Sequence, residues 1–300
     1  MEDISLYGSG RHTQMRLAVF ADIHANSEAL STCLAYADHV GADGYVFLGD
    51  HITDCPYPQR TLRLMRDAAQ RKPSWMLRGN REDVLIRHHE HPQEDWKPSS
   101  ATGSLLYTYE NLSAEDIQYL KRMPIASAID LPGCPPLSIA HATPVSNTAL
   151  VYPGSEALDA VLRTCPHPAM LSGHSHFQFR YESEGKQFVN PGSVGMPFYG
   201  QPMAQFALVS CQGRRWTVRM INVDYDKESQ IRQFEESGLI ETARIWALAT
   251  IKTIRSGGRW AIECRQLAAR RSPNGEYSER AWEEAARELG IIDQDGQLIP

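Results

Sequence analysis

Leu17-Ala18-Val19-Phe20-Ala21-Asp22-Ile23-His24-Ala25-Asn26 opens as an apolar run and ends on Asp and His two positions apart. The same succession recurs down the chain. Tyr45-Val46-Phe47-Leu48 leads to Gly49-Asp50-His51, and Trp75-Met76-Leu77 leads to Gly79-Asn80-Arg81. Leu137-Ser138-Ile139-Ala140 leads to His141-Ala142-Thr143-Pro144, and Met170-Leu171 to Gly173-His174-Ser175-His176. Short apolar runs bounded by turn residues read as buried strands. At an extended strand end, residues two apart face one side, so Asp22 can point with His24, and His174 with His176. Strand ends that each present Asp, Asn or His describe one metal site better than a series of accidental turns.

Singly, each cluster has a plainer reading. Asp-x-His is usually a loop with a capping residue, Gly-Asp a turn, and Gly-Asn a left-handed turn. Their joint order behind apolar strands carries the specificity. Four histidines, two aspartates and one asparagine form a mixed nitrogen and oxygen donor set. It suits Mn²⁺, Fe²⁺, Zn²⁺, Co²⁺ or Ni²⁺, whereas Mg²⁺ and Ca²⁺ favour oxygen alone. Seven donors exceed the needs of one tetrahedral ion. They suit two ions sharing the Asp50 carboxylate, with Asn80 adding a neutral carbonyl oxygen.

Outward from these clusters, strands and helices alternate up to about residue 177. Asn26 or Ser27 can cap a helix to about Val40, with Leu30, Leu34 and Ala37 at helical spacing. Further helices are expected over Pro58–Arg71, from Ser113 to Met123, and over Glu156–Thr164. The polar, proline-containing stretch from His88 to Thr108 reads as a long loop or lid. From Phe177, strands follow one another over 178–182, 187–190, 205–210 and 216–223, with Glu184-Gly185 as a hairpin turn. Alternation followed by a β run predicts an α/β sandwich of two sheets with helices outside. The expected organisation is a disordered lead-in over 1–14, a domain over 15–225, and a helical extension over 226–300. Ile245, Trp246, Leu248, Ile251 and Ile254 make the 244–254 segment apolar on most sides. It needs a partner surface in its own chain or in another subunit of a homo-oligomer, and the extension serves packing, a lid or that contact.

A chain of 300 residues can bury a substantial core, and 42% hydrophobic with 22% charged residues is an ordinary globular composition. The net charge of -6 leaves no electrostatic footprint for nucleic acid. No apolar run approaches the ~18 residues of a membrane span. Residues 1–14 lack the apolar core of a secretory signal. Cys33, Cys55, Cys134, Cys165, Cys211 and Cys264 are widely spaced without a C-x-x-C pair, which predicts reduced thiols and a cytoplasmic location.

Asp22-x-His24, Gly49-Asp50, Gly79-Asn80, His141 and Gly173-His174-x-His176 resemble the five signature blocks of the calcineurin-like metallophosphoesterase superfamily. Asn190-Pro191-Gly192-Ser193-Val194-Gly195 resembles a signature of its small bacterial phosphodiesterase branch. The similarity spans about 15–223. It implies a four-layer αββα sandwich with a dinuclear centre at the strand ends, Mn²⁺ foremost. Carried over, one ion would be held by Asp22, His24, Asp50 and His176, the other by Asp50, Asn80, His141 and His174. Asp50, Asn80, Arg81 and His141 are then the candidate catalytic residues.

The chain departs from that pattern after Asn80. Many members of the family have His there, placed to protonate the leaving oxygen; this chain has Arg81. Arginine stays protonated and is no ordinary general acid near neutral pH. Either it binds a phosphate oxygen of the substrate, or it is a surface residue paired with Glu82 or Asp83. His51 either faces substrate or closes its turn. Asn26 is expected to cap its helix, and Asn190 and Ser193 to shape the pocket floor or a turn. His12, His39, His88, His89, His91 and His167 are expected to be solvated, as is the basic 265–271 helical face. The function expected is metal-dependent hydrolysis, by two-metal activation of water, of phosphodiester or phosphoanhydride bonds in a small or nucleotide-like substrate. Dinucleoside polyphosphate hydrolysis, protein serine/threonine phosphatase activity and a metal-binding scaffold are the alternatives.

Overall fold

The computed structural model describes residues 15–92, 96–212, 215–272 and 277–299. The expected lead-in over 1–14, with His12, lies outside them.

Two five-stranded sheets face each other. In the first, β1 (Met15–Phe20), β2 (Gly44–Phe47) and β3 (Ser74–Met76) run parallel. Helices α1 (Ser27–His39) and α2 (Pro58–Arg71) make the crossovers. In the second sheet, β4 (Ala126–Ile129) pairs antiparallel with β5 (Leu137–Ala140), which runs parallel to β6 (Ala169–Ser172). The hairpin β7 (Phe179–Ser183) and β8 (Lys186–Asn190) completes it beside β6. The long strands β9 (Ala204–Gln212) and β10 (Arg215–Val223) return to the first sheet, where β9 pairs antiparallel with β1.

Side-chain alternation along these strands builds the layers. Leu17 and Val19 of β1, Val46 of β2 and Val209 of β9 meet Ile139, Leu171 and Val189 between the sheets. Their neighbours Phe20, Tyr45, Phe47 and Phe206 point the other way, into the helices. Met170 and Phe188 pack outward against Leu158 and Leu162 of α6 (Glu156–Thr164). Each wholly buried aromatic such as Phe20 contributes about 1.5–3 kcal/mol. The result is the four-layer sandwich, with parallel strand ends gathered at one edge.

Three features differ in whole or in part from expectation. The 88–108 stretch is helical only at its two ends: α3 (Asn80–Glu90) begins at the third cluster, α4 (Gly103–Glu110) closes the stretch, and the described residues between them are irregular, as expected of a loop. Helix α5 (Ala114–Lys121) then starts on the Ser113–Asp116 capping box. His88 stacks on Trp96 at 3.7 Å and is half-buried, as are His89 and His167, whereas His39 and His91 are exposed. Cys134 and Cys211 form a disulfide with Cα atoms 5.9 Å apart, tying the β4–β5 connection to the end of β9. The expectation of six reduced thiols fails at this pair because a separation of 77 residues hides a contact made only when the sheets stack. The other four cysteines are free and buried.

After β10 come α7 (Lys227–Glu236), α8 (Leu239–Ala243), α9 (Ile245–Ser256), α10 (Trp260–Arg270) and α11 (Glu279–Glu288). The apolar faces of α9 and α11 join the same core cluster as α1 and α2, so the 244–254 segment finds its partner within the chain. Ser278 caps α11, and Glu283 pairs with Arg287 one turn on. No helix among the described residues is long and apolar enough to cross a membrane.

Candidate metal centre

The turns after β1, β2, β5 and β6 interlock through backbone hydrogen bonds. Asp22 N–H donates to Gly49 O, His24 N–H to Asp50 O, and Gly173 N–H to His141 O. Asp22, His24, Asp50, His174 and His176 all have φ between 50° and 68°. Non-glycine residues on left-handed backbone cost about 1–3 kcal/mol each, and persist where their surroundings over-determine them. Gly79 is fixed by close approach: a Cβ there would lie 2.1 Å from Asp50 Oδ1. The buried Glu82 carboxylate accepts from the N–H groups of Asp50, His51 and Gly79, pinning two clusters together.

The structure brings six of the expected ligands into two groups, Asp22 with His24 and His176, and Asp50 with His141 and His174. Asn80 stands beside the second, its Oδ1 3.1 Å from His141 Nε2. The imidazole tautomers follow from their outer partners. His176 Nδ1 donates to Met196 O at 2.7 Å, and His141 Nδ1 to Leu48 O at 2.8 Å. A carbonyl only accepts, so each Nε2 carries a lone pair. His24 Nδ1 faces the Asp54 carboxylate at 3.0 Å, which leaves its Nε2 a lone pair too. His174 reverses the pattern, giving Nε2–H to Thr148 O and keeping Nδ1 free.

Lone pairs therefore converge on lone pairs. His24 Nε2 and His176 Nε2 are 3.2 Å apart, and His141 Nε2 lies 3.5 Å from Asp50 Oδ1. Asp22 Oδ1 is buried without a hydrogen-bond partner, 3.5 Å from His176 Nε2. Cations between these atoms would turn each repulsion into coordination, so the residues present fit divalent metals.

The electrostatics agree. Burial, reinforced by the Asp50 carboxylate, raises Asp22 well above the usual carboxylate range. Burial also works against ionised Asp50, but His141, His24 and Arg81 overcome it and hold Asp50 low. Burial lowers His141, His174 and His176, favouring the neutral imidazoles that metals require.

Asp54 carried no signal in the sequence, yet it organises one side of the site. It is buried, and accepts from His24 Nδ1, Thr53 Oγ1, Ser104 Oγ of α4 and Trp246 Nε1 of α9. Burial alone would raise its carboxyl; Arg81 and His24 drive it far below the ordinary range instead. Arg81 Nη2 is 3.3 Å from Asp54 Oδ2, and its guanidinium lies over the Trp246 ring. It pairs with neither Glu82 nor Asp83, the latter being bound to Arg78. His51 is wholly buried outside the pocket lining, with Nε2 2.7 Å from Leu77 O, an arrangement that fits the turn-closing reading. Asn26 caps α1 through Ala29 N–H and also donates to Gly195 O and Tyr225 Oη. Asn190 Nδ2 and Ser193 Oγ brace the turns through Gly173 O and Asp22 O.

A cavity of about 290 Å³ opens over the two groups, near the lower bound of roughly 300 Å³ for small-ligand pockets. His24, Asp50, Asn80, His174 and His176 line one part of it. Arg81, Tyr152, Phe198 and Tyr199 line another, and Phe198 stacks on His176 at 4.3 Å. Trp246, Arg259, Ile262, Arg265 and Gln266 of the C-terminal helices complete it, so the 265–271 face is not merely solvated. Spacing alone cannot tell a basic helical stripe facing a pocket from one facing water.

Residues 15–214 match the model of the calcineurin-like phosphoesterase superfamily domain, and the chain belongs to that family. An uncharacterised protein of Methanocaldococcus jannaschii is 23% identical over 240 residues, covering 75% of this chain and 94% of that one. A metallophosphoesterase from Sphaerobacter thermophilus superposes with a TM-score of 0.67, and hypothetical protein PH1004 from Pyrococcus horikoshii OT3 with 0.68. Both solved structures are 23% identical, and each comparison covers 81% of this chain and 99% of the other. They bear out the fold expected from the strand-end clusters.

Proposed function

We propose that the protein is a two-metal phosphoesterase that hydrolyses small phosphate esters or anhydrides. The opposed lone pairs of His24 and His176, 3.2 Å apart in a buried site, carry this reading. One ion would be held by Asp22, His24, Asp50 and His176, the other by Asp50, Asn80, His141 and His174. Bound there, two divalent ions, Mn²⁺ foremost and Fe, Zn, Ni or Co as alternatives, would activate a water and neutralise phosphoryl oxygens.

The chain's own residues orient and select. Asp54 fixes the His24 ring, and Met196 O fixes His176, so both donors are pre-aimed. Arg81 borders the pocket with a guanidinium that can bind a phosphoryl oxygen but cannot protonate a leaving group. Among the described residues, the histidines lining the pocket are all ligand candidates. Leaving groups that depart without a proton, such as nucleotide phosphates or phenolates, therefore suit it better than alkoxides.

Turnover of an aryl phosphodiester, an aryl monoester and a dinucleoside polyphosphate with added Mn²⁺ tests the proposal, with Asp50→Asn as control. Wild-type turnover well above the control on at least one substrate is expected. Equality with the control on all three would favour a metal-binding scaffold.

A further inference from the structure

The cationic groups on the helical side of the pocket differ in their partners. Arg81, which lines the pocket, pairs with Asp54; outside the lining, Arg255 pairs with Glu228, and Arg271 with Glu284 and Glu288. Arg259 and Arg265 line the cavity, and no carboxylate among the described residues pairs with either. Arg259, at the N-cap of α10, has its Nε buried without a hydrogen-bond partner. Its guanidinium lies 5.9 Å from the centre of the Tyr199 ring. Arg265 and Gln266 follow Ile262 by three and four residues, which places all three on one stripe of the helix.

The position of this stripe is fixed. Gly200 N–H donates to Gly257 O at 2.8 Å just before α10, and Trp246 is bonded to Asp54 at 2.9 Å. A guanidinium with a buried, unpartnered N–H retains a desolvation cost that an anionic acceptor would remove. These arginines come from α10 and its N-cap, a different element than the ligand set, and they line the same cavity.

We infer that Arg259 and Arg265 form a second anion subsite, and that the substrate carries another phosphoryl group besides the reacting one. The inference rests on the phosphoesterase reading and narrows it to di- or polyphosphorylated compounds.

Calorimetric binding to the metal-loaded full chain tests it, using α,β-methylene-ADP and phenylphosphonate as probes with two and one phosphoryl-type groups. Arg265→Gln, at an exposed position, is expected to weaken α,β-methylene-ADP at least tenfold and phenylphosphonate less than twofold. Arg259→Gln should do the same, with melting curves to check its fold. Arg265→Lys should retain more affinity than Arg265→Gln. Equal losses for both probes, or no loss for α,β-methylene-ADP in Arg265→Gln, would overturn the subsite. Failure of the phosphoesterase reading would instead appear as absent turnover by the wild type, a separate result.

Discussion

Five of the seven ligand candidates sit on left-handed backbone, interlocked by Glu82, Asp54 and main-chain carbonyls. Across the same cavity's lining, Arg265 lies in the regular helix α10 and Arg259 at its N-cap, and neither carries an ion pair among the described residues. The strand ends are strained and satisfied on every side but one. The helical wall is relaxed and leaves its charges open. On the proposed reading, the chemistry would fall to the interlocked strand ends and selection to side chains without an ion pair.

The most severe way to break the contrast is to remove the carboxylate proposed to serve both ions. Asp50→Asn is expected to lower kcat by at least about 10²–10³-fold. In the same variant, Mn²⁺ at about a hundred times the wild-type Kd should no longer give the ~2.7 kcal/mol of stabilisation expected from binding, as read from melting curves. Gly79→Ala adds a methyl that must displace Asp50, and a shift near 1 Å costs roughly 10²-fold in rate. Steady-state kinetics with saturating metal would show it.

Asp54→Ala probes the join between the two regions, since this carboxylate serves both His24 and Trp246. Mn²⁺ affinity should fall ~10–100-fold, the usual effect of losing a ligand's outer partner. Metal titration followed by calorimetry measures it, and an unchanged affinity would mean that the His24 ring is held by its turn alone. Arg81→Ala should raise KM for multiply charged phosphates about tenfold, in line with ~1.5–3 kcal/mol for a charged hydrogen bond. The smallest effect on catalysis is expected remote from the centre. Cys134→Ser should leave kinetics intact while lowering stability by about 2–4 kcal/mol in chemical denaturation.

The regions also differed in how far the sequence exposed them. Asp22, His24, Asp50, His141, His174 and His176 were legible because each follows an apolar strand within a few residues, a purely local signal. The Gly79-x-x-Glu82 spacing of an N-cap and its third helical residue could have revealed both the start of α3 and the anchoring carboxylate. Asp54 was illegible, because its partners are contributed from residues 24, 104 and 246. Arg259 and Arg265 were equally hidden, since only the docking of α10 distinguishes them from solvated arginines.

The order of synthesis gives the Trp246–Asp54 bond one more meaning. All seven ligand candidates have been made once residue 176 is joined, but Trp246 arrives seventy residues later and Arg265 later still. A nascent chain thus contains its candidate metal donors well before the helices that complete the cavity. On the proposed reading, the order of synthesis would complete the metal donors before the residues proposed to select substrate.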